Sequence, residues 1–131
     1  MKEAHDFLKA AEYYFLATLE NDQPRVRPFG TYSVFEDKLY IQTWKIKPVA
    51  KQIAANPKVE LCAFKDGVWL RIAAEAVEDD RVEARQATLD QFPQLKNIGY
   101  AVDDGNMVVY YLKNATATFS SFTEADKVIR F

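Results

Sequence analysis

Four cations draw attention by their spacing: Arg25 and Arg27 lie two apart, Lys47 and Lys51 four apart. Residues two apart share one face of a strand, and residues four apart share one face of a helix. Pro48 follows Lys47, and proline suits the first position of a helix, where its missing N–H would be unpaired anyway. Both lysines therefore belong near a helix N-terminus, whose free N–H groups, from Val49 and Ala50 onward, favour an anion. Lysines there oppose the helix macrodipole, so the arrangement is mildly unfavourable unless an anion sits among them. The chemistry implied is recognition of a phosphate-like group, and Arg25 and Arg27 are placed to close around it. Aromatic residues frame the same stretch: Phe29, Tyr32, Trp44 and, further on, Trp69, which shares a strand face with Arg71. A planar ligand bearing a phosphate accounts for that mixture of rings and cations.

Other chemistries find little support. One histidine, His5, and one cysteine, Cys62, cannot build a zinc site, so no metal is expected. The acidic pairs Asp79-Asp80 and Asp103-Asp104 suit caps and turns better than metal ligation. His5 falls in the first helix, away from any nucleophile elbow. Cys62 alternates with Leu61 and Ala63 in a strand and reads as a packing residue. Nothing here marks a hydrolase.

The elements that position these residues follow from periodicity and turn signals. Ala4 to Tyr14 has helical spacing, with Phe7, Leu8, Ala11 and Tyr14 on one face. Tyr14 to Glu20 reads as a strand, and Asn21-Asp22-Gln23-Pro24 as a turn. Arg25 to Phe35 alternates as a strand, with Arg25, Arg27 and Phe29 on one face and Val26, Pro28 and Gly30 on the other. Pro28 and Gly30 disfavour a regular central strand and point to an edge, a bulge or a close backbone approach. Leu39 to Thr43, which carries Gln42, is a third strand, and Lys47 to Ala55 a short helix stopped by Asn56-Pro57. Val59 to Phe64 and Val68 to Val77 form a hairpin across Asp66-Gly67. Asp80 with Glu83 has the spacing of a capping box for a helix from Arg81 to Phe92. Met107 to Leu112 and Ala115 to Phe122 complete the strands, followed by a short polar tail. Six or seven short strands joined mostly by turns, with two or three helices, predict a mainly β fold, a small antiparallel barrel with helices against its openings.

Composition agrees with a single domain over residues 1–131. The chain carries 17 Lys and Arg against 19 Asp and Glu, with 49% hydrophobic residues and 18 aromatics, enough to bury a core without disulfides or a structural metal. The net charge of −2 is unevenly spread. Residues 25 to 58 carry seven cations and two anions, a local +5 that leaves −7 elsewhere. A nucleic-acid binder would carry excess positive charge overall, whereas a compact basic segment in an acidic protein suits a small anionic ligand. No apolar run is long enough to span a bilayer. A lone thiol suits a reducing compartment, so a cytoplasmic location without membrane or nucleic-acid partners is expected.

With these residues in place, the sequence resembles the pyridoxamine 5′-phosphate oxidase-like, FMN-binding split-barrel proteins. The resemblance rests on Pro24-Arg-Val-Arg-Pro-Phe-Gly30, Leu39-Tyr-Ile-Gln-Thr43 and the run from Lys47 through Gln52-Ile53 and Asn56-Pro57 to Leu61, continued by Cys62-Ala-Phe64 and Trp69-Leu-Arg-Ile72. It implies a six- to seven-stranded antiparallel split β-barrel and a homodimer with FMN at the interface. On this resemblance Arg25, Arg27, Pro28, Phe29 and Gly30 line the flavin, and Gln42 and Thr43 lie near its ribityl chain and phosphate. Lys47 and Lys51 hold the phosphate, and Trp69 and Arg71 approach from the second subunit.

The pattern also departs from the family. Pro48-Val49 stands where the oxidase has an Arg-Lys pair, and the chain ends at Phe131 without the extension that binds the oxidase's substrate. Oxidation of pyridoxamine phosphate is therefore not expected; the short length and Trp-x-Arg strand look more like the small flavin-reductase, general-stress and nitroimidazole-reductase relatives. The reading is a flavin-dependent oxidoreductase with a nicotinamide electron donor and a small-molecule acceptor. A non-enzymatic flavin-binding module and a barrel dimer with a decayed site stay open, as do haem or a deazaflavin in place of FMN.

Overall fold

The computed structural model describes residues 1–131. Helix α1 (Lys2–Ala11) is followed by β1 (Tyr14–Glu20), β2 (Gln23–Phe29), β3 (Ser33–Phe35), β4 (Lys38–Trp44) and helix α2 (Pro48–Ala55). Then come β5 (Lys58–Lys65), β6 (Val68–Glu78), helix α3 (Val82–Gln91), a 3-10 turn at Pro93–Ile98, β7 (Met107–Ser121) and β8 (Lys127–Arg130). The eight strands form one antiparallel sheet in the order β2-β1-β5-β6-β7-β4-β3, with β8 added on β7. The two ends of that order, β2 and β3, are consecutive in sequence but not hydrogen-bonded to each other. The sheet thus curls into a barrel with a split between them.

Hairpin chemistry sets the registers. Glu36 and Asp37 (φ 49° and 59°) and Asp66 and Gly67 (φ 52° and 80°) occupy left-handed backbone in two-residue turns between Phe35 and Lys38 and between Lys65 and Val68. Two successive positive φ values match the right-handed twist of the flanking strands. The alternation in β5 and β6 follows: Leu61, Ala63, Leu70 and Ile72 are buried in the barrel core with Leu16, Leu39 and Ile41. A second cluster lies outside β4 and β7, where Tyr40 and Val109 meet Leu89, Phe92 and Tyr100.

Four expectations need correction. The stretch from Arg25 to Phe35 is two strands, because residues 30 to 32 leave the ladder and cross the split; β2 is accordingly an edge strand, where Pro28 is tolerated. The capping box at Asp80 does not form: Arg81 is the N-cap residue of α3, without a side-chain cap bond. Asp79 instead accepts the Arg81 N–H at 3.2 Å. Met107 to Ser121 is a single strand that turns a corner at Asn114 (φ 52°) opposite the register shift in β6. The polar tail pairs as β8 with Thr116 to Phe119, and Ile129 and Phe131 pack on the barrel core.

Candidate functional site

The split is held from inside by the crossing loop. Tyr14, fully buried, donates its hydroxyl hydrogen to the Thr31 carbonyl at 2.6 Å. The Gln42 N–H donates to Thr31 Oγ1 at 3.1 Å. One residue thereby stitches β1 to β4 and fixes where the chain leaves β2. Gly30 precedes it in open surroundings: a Cβ there would meet nothing closer than the Tyr13 ring at 3.8 Å. The fold itself does not demand glycine at this position.

Register divides the candidate residues between two faces of β2. Arg25, Arg27 and Phe29 pair with Thr18, Leu16 and Tyr14, all buried, so they share the inner face. The Arg27 guanidinium reaches under α2, donating to Thr18 Oγ1 at 2.8 Å, the Leu16 carbonyl at 3.0 Å and Gln52 Oε1 at 2.8 Å. Thr18 donates to the same Gln52 oxygen at 2.5 Å. Arg25 donates to Glu20 Oε1 at 2.8 and 3.2 Å, and Gln52 Nε2 approaches Glu20 Oε2 at 3.5 Å. Bonding to Arg25 holds the Glu20 carboxyl below its ordinary pKa, while burial lowers that of Arg27.

Glu20 and Gln52 carry this network to a cleft of about 230 Å³, which they line with Asn21, Pro48 and Lys51 and with apolar walls from Leu19 and Ala55. Lys47 is the N-cap residue of α2, in extended backbone without a side-chain cap, and Pro48 opens the helix. The Val49 N–H has no acceptor in the chain, whereas those of Ala50 and Lys51 turn back to the Lys47 carbonyl. Of the seven cations in residues 25 to 58, only Arg25 lies within 4.0 Å of a carboxylate. Lys51 also borders a second cleft of about 260 Å³ on the other side of α2, with Lys45, Glu78 and Tyr110. The start of α2 thus combines unpaired positive charge, an unpaired N–H and access, which is the chemistry of an anion subsite. Lys47 and Lys51 can hold a phosphate there.

The remaining candidates are placed differently. Gln42 and Thr43 are buried on opposite faces of β4, Gln42 donating to the Thr43 carbonyl at 3.0 Å. Trp44 packs on Tyr100 with ring centroids 4.8 Å apart, and Lys47 Nζ stands 5.7 Å from the Trp44 ring. The Trp44 indole N–H is the one buried side-chain polar group without a partner. Trp69 and Arg71 face away from the barrel. Register aligns Pro28, Phe15, Cys62, Arg71 and Thr118 in one row across five strands. Phe64 and Trp69 form a neighbouring pair, and Trp69 stacks against Phe122 at 5.1 Å. Phe15, Val26, Phe64 and Phe122 on this side are all more than half exposed, an apolar outer face of the kind that marks an interaction surface. The chain thus brings Arg25, Arg27 and Lys51 together around Glu20 and Gln52, keeps Lys47 at the helix entrance, and leaves Trp69 and Arg71 on the outer sheet. Glu20 was not singled out from the sequence, and Gln52 was named only as part of the motif that carries the resemblance, not as a site residue. The sequence signal for Glu20 is its place five residues before Arg25, across a tight hairpin turn.

Comparison with known proteins bears on the fold and the family. Residues 1–92 match the family model described as pyridoxamine 5′-phosphate oxidase. The structure of a NimC/NimA family protein from Clostridium acetobutylicum is 41% identical, with TM-score 0.95 over all of this chain and 92% of that one. A pyridoxamine 5′-phosphate oxidase-related, FMN-binding protein from Nostoc punctiforme shares the fold at 16% identity, TM-score 0.64, over 99% of this chain and 93% of that one. A haem-binding protein from Mycobacterium smegmatis does so at 16% identity, TM-score 0.76, over 98% of this chain and 57% of that one. Among curated proteins no match is found.

Proposed function

The chain belongs to the pyridoxamine 5′-phosphate oxidase family, and on that premise we propose that it is an FMN-binding flavoprotein, a flavin-dependent reductase working as a homodimer. The observation that carries this reading is the start of α2, where Lys47, Lys51 and the unpaired Val49 N–H lie beside a cleft lined by Glu20 and Gln52, the residues that Arg25 and Arg27 bond. A phosphate there relieves the conflict between the lysines and the helix dipole. Gly30, which nothing in the chain requires to be glycine, leaves the crossing loop open to a flat ring next to Phe29.

FMN, when bound, supplies two-electron redox chemistry at its ring. The side chains of this protein bind and orient. Lys47 and Lys51 neutralise the phosphate, Arg25 is shared between it and Glu20, and Arg27 ties β2 to α2 so that the two walls keep their spacing. Gln42 and Thr43 serve from within, by fixing the β4 backbone that carries Trp44 to the helix. Pairing of the apolar outer faces of two copies covers Phe15, Phe64 and Phe122, and it brings the partner subunit's Trp69 and Arg71 toward the flavin. A reduced nicotinamide as donor, a small-molecule acceptor and a cytoplasmic setting complete the reading. A flavin-binding module without turnover is supported by one observation: Glu20, the one carboxyl lining the cleft, is bonded to Arg25, which leaves no free carboxyl there.

The test is the absorbance spectrum of the purified chain, the flavin released on denaturation, and NADH or NADPH oxidation with added acceptors. Yellow protein that turns over supports the proposal. Yellow protein never reduced by either nicotinamide supports the binding module. Colourless protein that fails to bind added FMN overturns both, and a co-purified haem or deazaflavin reassigns the cofactor.

A further inference from the structure

A separate cleft of about 220 Å³ opens where α1, the crossing loop and the end of α3 meet, lined by His5, Lys9, Tyr32, Gln91 and Phe92. Its wall is a chain of rings. Tyr32 stands edge-on to Phe92, with centroids 4.9 Å apart at 86°, and His5 packs on Tyr32 at 5.8 Å and 63°. Such perpendicular pairs fix ring orientation through their quadrupoles. Gln91 is locked in place, accepting from the Val34 N–H and donating to the Val34 carbonyl, both at 2.9 Å. Tyr32 is anchored through Thr31 and packs on both hydrophobic clusters. The cleft is therefore rigid on three sides.

Its charge is set by α1. Lys9 and His5 lie four apart on one face of that helix. Asp6, which lies 3.9 Å from His5, is engaged by Lys2 at 2.5 Å, and no carboxylate lies within 4.0 Å of Lys9. The exposed Glu12 stands close enough to help burial raise the pKa of the Tyr32 hydroxyl, so that hydroxyl remains a proton donor, and Glu12 does not line the cleft. The groups lining it are the Lys9 ammonium, the His5 imidazole, the Tyr32 phenol and the Gln91 amide, which is already bonded to Val34, set around the Tyr32 and Phe92 rings, with no carboxylate among them. The volume falls below the range of roughly 300–1,000 Å³ usual for ligand pockets, which limits an occupant to a single ring.

We propose that this cleft binds a small planar aromatic carboxylate, its ring against Tyr32 and Phe92 and its carboxylate toward Lys9 and His5. The proposal does not depend on the cofactor, since no residue of the cleft belongs to the flavin groove.

His5 is the one histidine in the chain, so its ring resonances are an unambiguous reporter. In the full chain at one fixed pH, titration with benzoate is expected to shift them saturably. Benzamide, which has the ring without the charge, and acetate, which has the charge without the ring, should each bind at least about tenfold more weakly, as expected for loss of a charged bond or of ring burial. Lys9→Ala should weaken benzoate by about tenfold, the loss of one charge-assisted bond, while Lys65→Ala leaves it unchanged, and amide spectra of both variants should show the fold intact. Absence of a saturable shift, equal binding of benzoate and either control compound, or wild-type affinity in Lys9→Ala each overturns the proposal. Because the titration is run on protein with and without added FMN, failure of the flavin reading leaves its result intact.

Discussion

Removing the two lysines at the start of α2 should separate FMN from riboflavin, which differ only by the phosphate. Lys47 is the N-cap residue and Lys51 lies one turn on; neither has a carboxylate within 4.0 Å, so substitution breaks no ion pair. Between unit charges 4 Å apart the attraction is about 1 kcal/mol in bulk water and about 4 kcal/mol at an effective dielectric of 20. The cleft is open, which places each lysine toward the lower end, at about 1.5 kcal/mol for a charge-assisted bond. Lys47→Ala with Lys51→Ala should then raise the Kd for FMN by about a hundredfold, at 1.4 kcal/mol per tenfold. Riboflavin should bind the variant within about threefold of wild type, since contacts to the ring and ribityl chain are untouched. Flavin fluorescence quenching measures both ligands, and Lys65→Ala on the far hairpin is the control. The difference should shrink as salt rises, because exposed charges are screened over about 10 Å at 0.1 M. Equal weakening of FMN and riboflavin, or no weakening of either, would show that the phosphate does not lie at this helix and would refute the reasoning.

Further outcomes follow from single contacts. Glu20→Gln frees Arg25 from its carboxylate and should tighten FMN several-fold without affecting riboflavin, as calorimetry would register. Tyr14→Phe deletes the buried bond to the Thr31 carbonyl and should cost about 1–2 kcal/mol in urea unfolding; an unchanged midpoint would mean the crossing loop is held otherwise. Bonding to Arg81 and Tyr40 holds the Asp79 carboxyl well below the usual carboxylate range. Folding lowers this pKa, so its stabilisation is complete above about pH 4 and drains as pH falls further; Asp79→Asn should therefore lower the midpoint at pH 7 and match wild type increasingly at acid pH. Trp69→Ala should shift sedimentation from dimer toward monomer, and an unaltered dimer would remove the outer face from the interface.

The elements that sequence reading placed well are those whose signals are local. Asp66-Gly67 demanded a tight turn, and the strands on either side then had to alternate Leu61 and Ala63 with Cys62, and Leu70 and Ile72 with Arg71. Pro48 and Asn56-Pro57 bracketed α2 to within a residue. What escaped depends on partners distant in the chain. Residues 30 to 32 continue the alternation of β2, and only the pull of Tyr14 and Gln42 on Thr31 shows that the chain leaves the sheet there. The tail after Phe122 reads as polar by composition, yet its end pairs with β7, with Ile129 and Phe131 packed against the core.

The candidate site divides along the same line. A helix start with lysines at the N-cap and one turn on is a local pattern, and neither lysine has a carboxylate within 4.0 Å in the structure. The arginines were legible as one face of β2 but not in their commitments. Arg25 is claimed by Glu20 across a hairpin, and Arg27 by Thr18 on the neighbouring strand and by Gln52 on α2. Sequence spacing treats all four cations as equivalent anion ligands, whereas the fold ranks them. Arg27 is bound behind the cleft to Leu16, Thr18 and Gln52, Arg25 must be drawn from a carboxylate, and only the lysines can engage an anion without breaking a bond. A phosphate at this cleft should therefore depend most on Lys47 and Lys51 for affinity. Substituting Arg27 should damage folding and binding together, because the same guanidinium holds β2 against the helix.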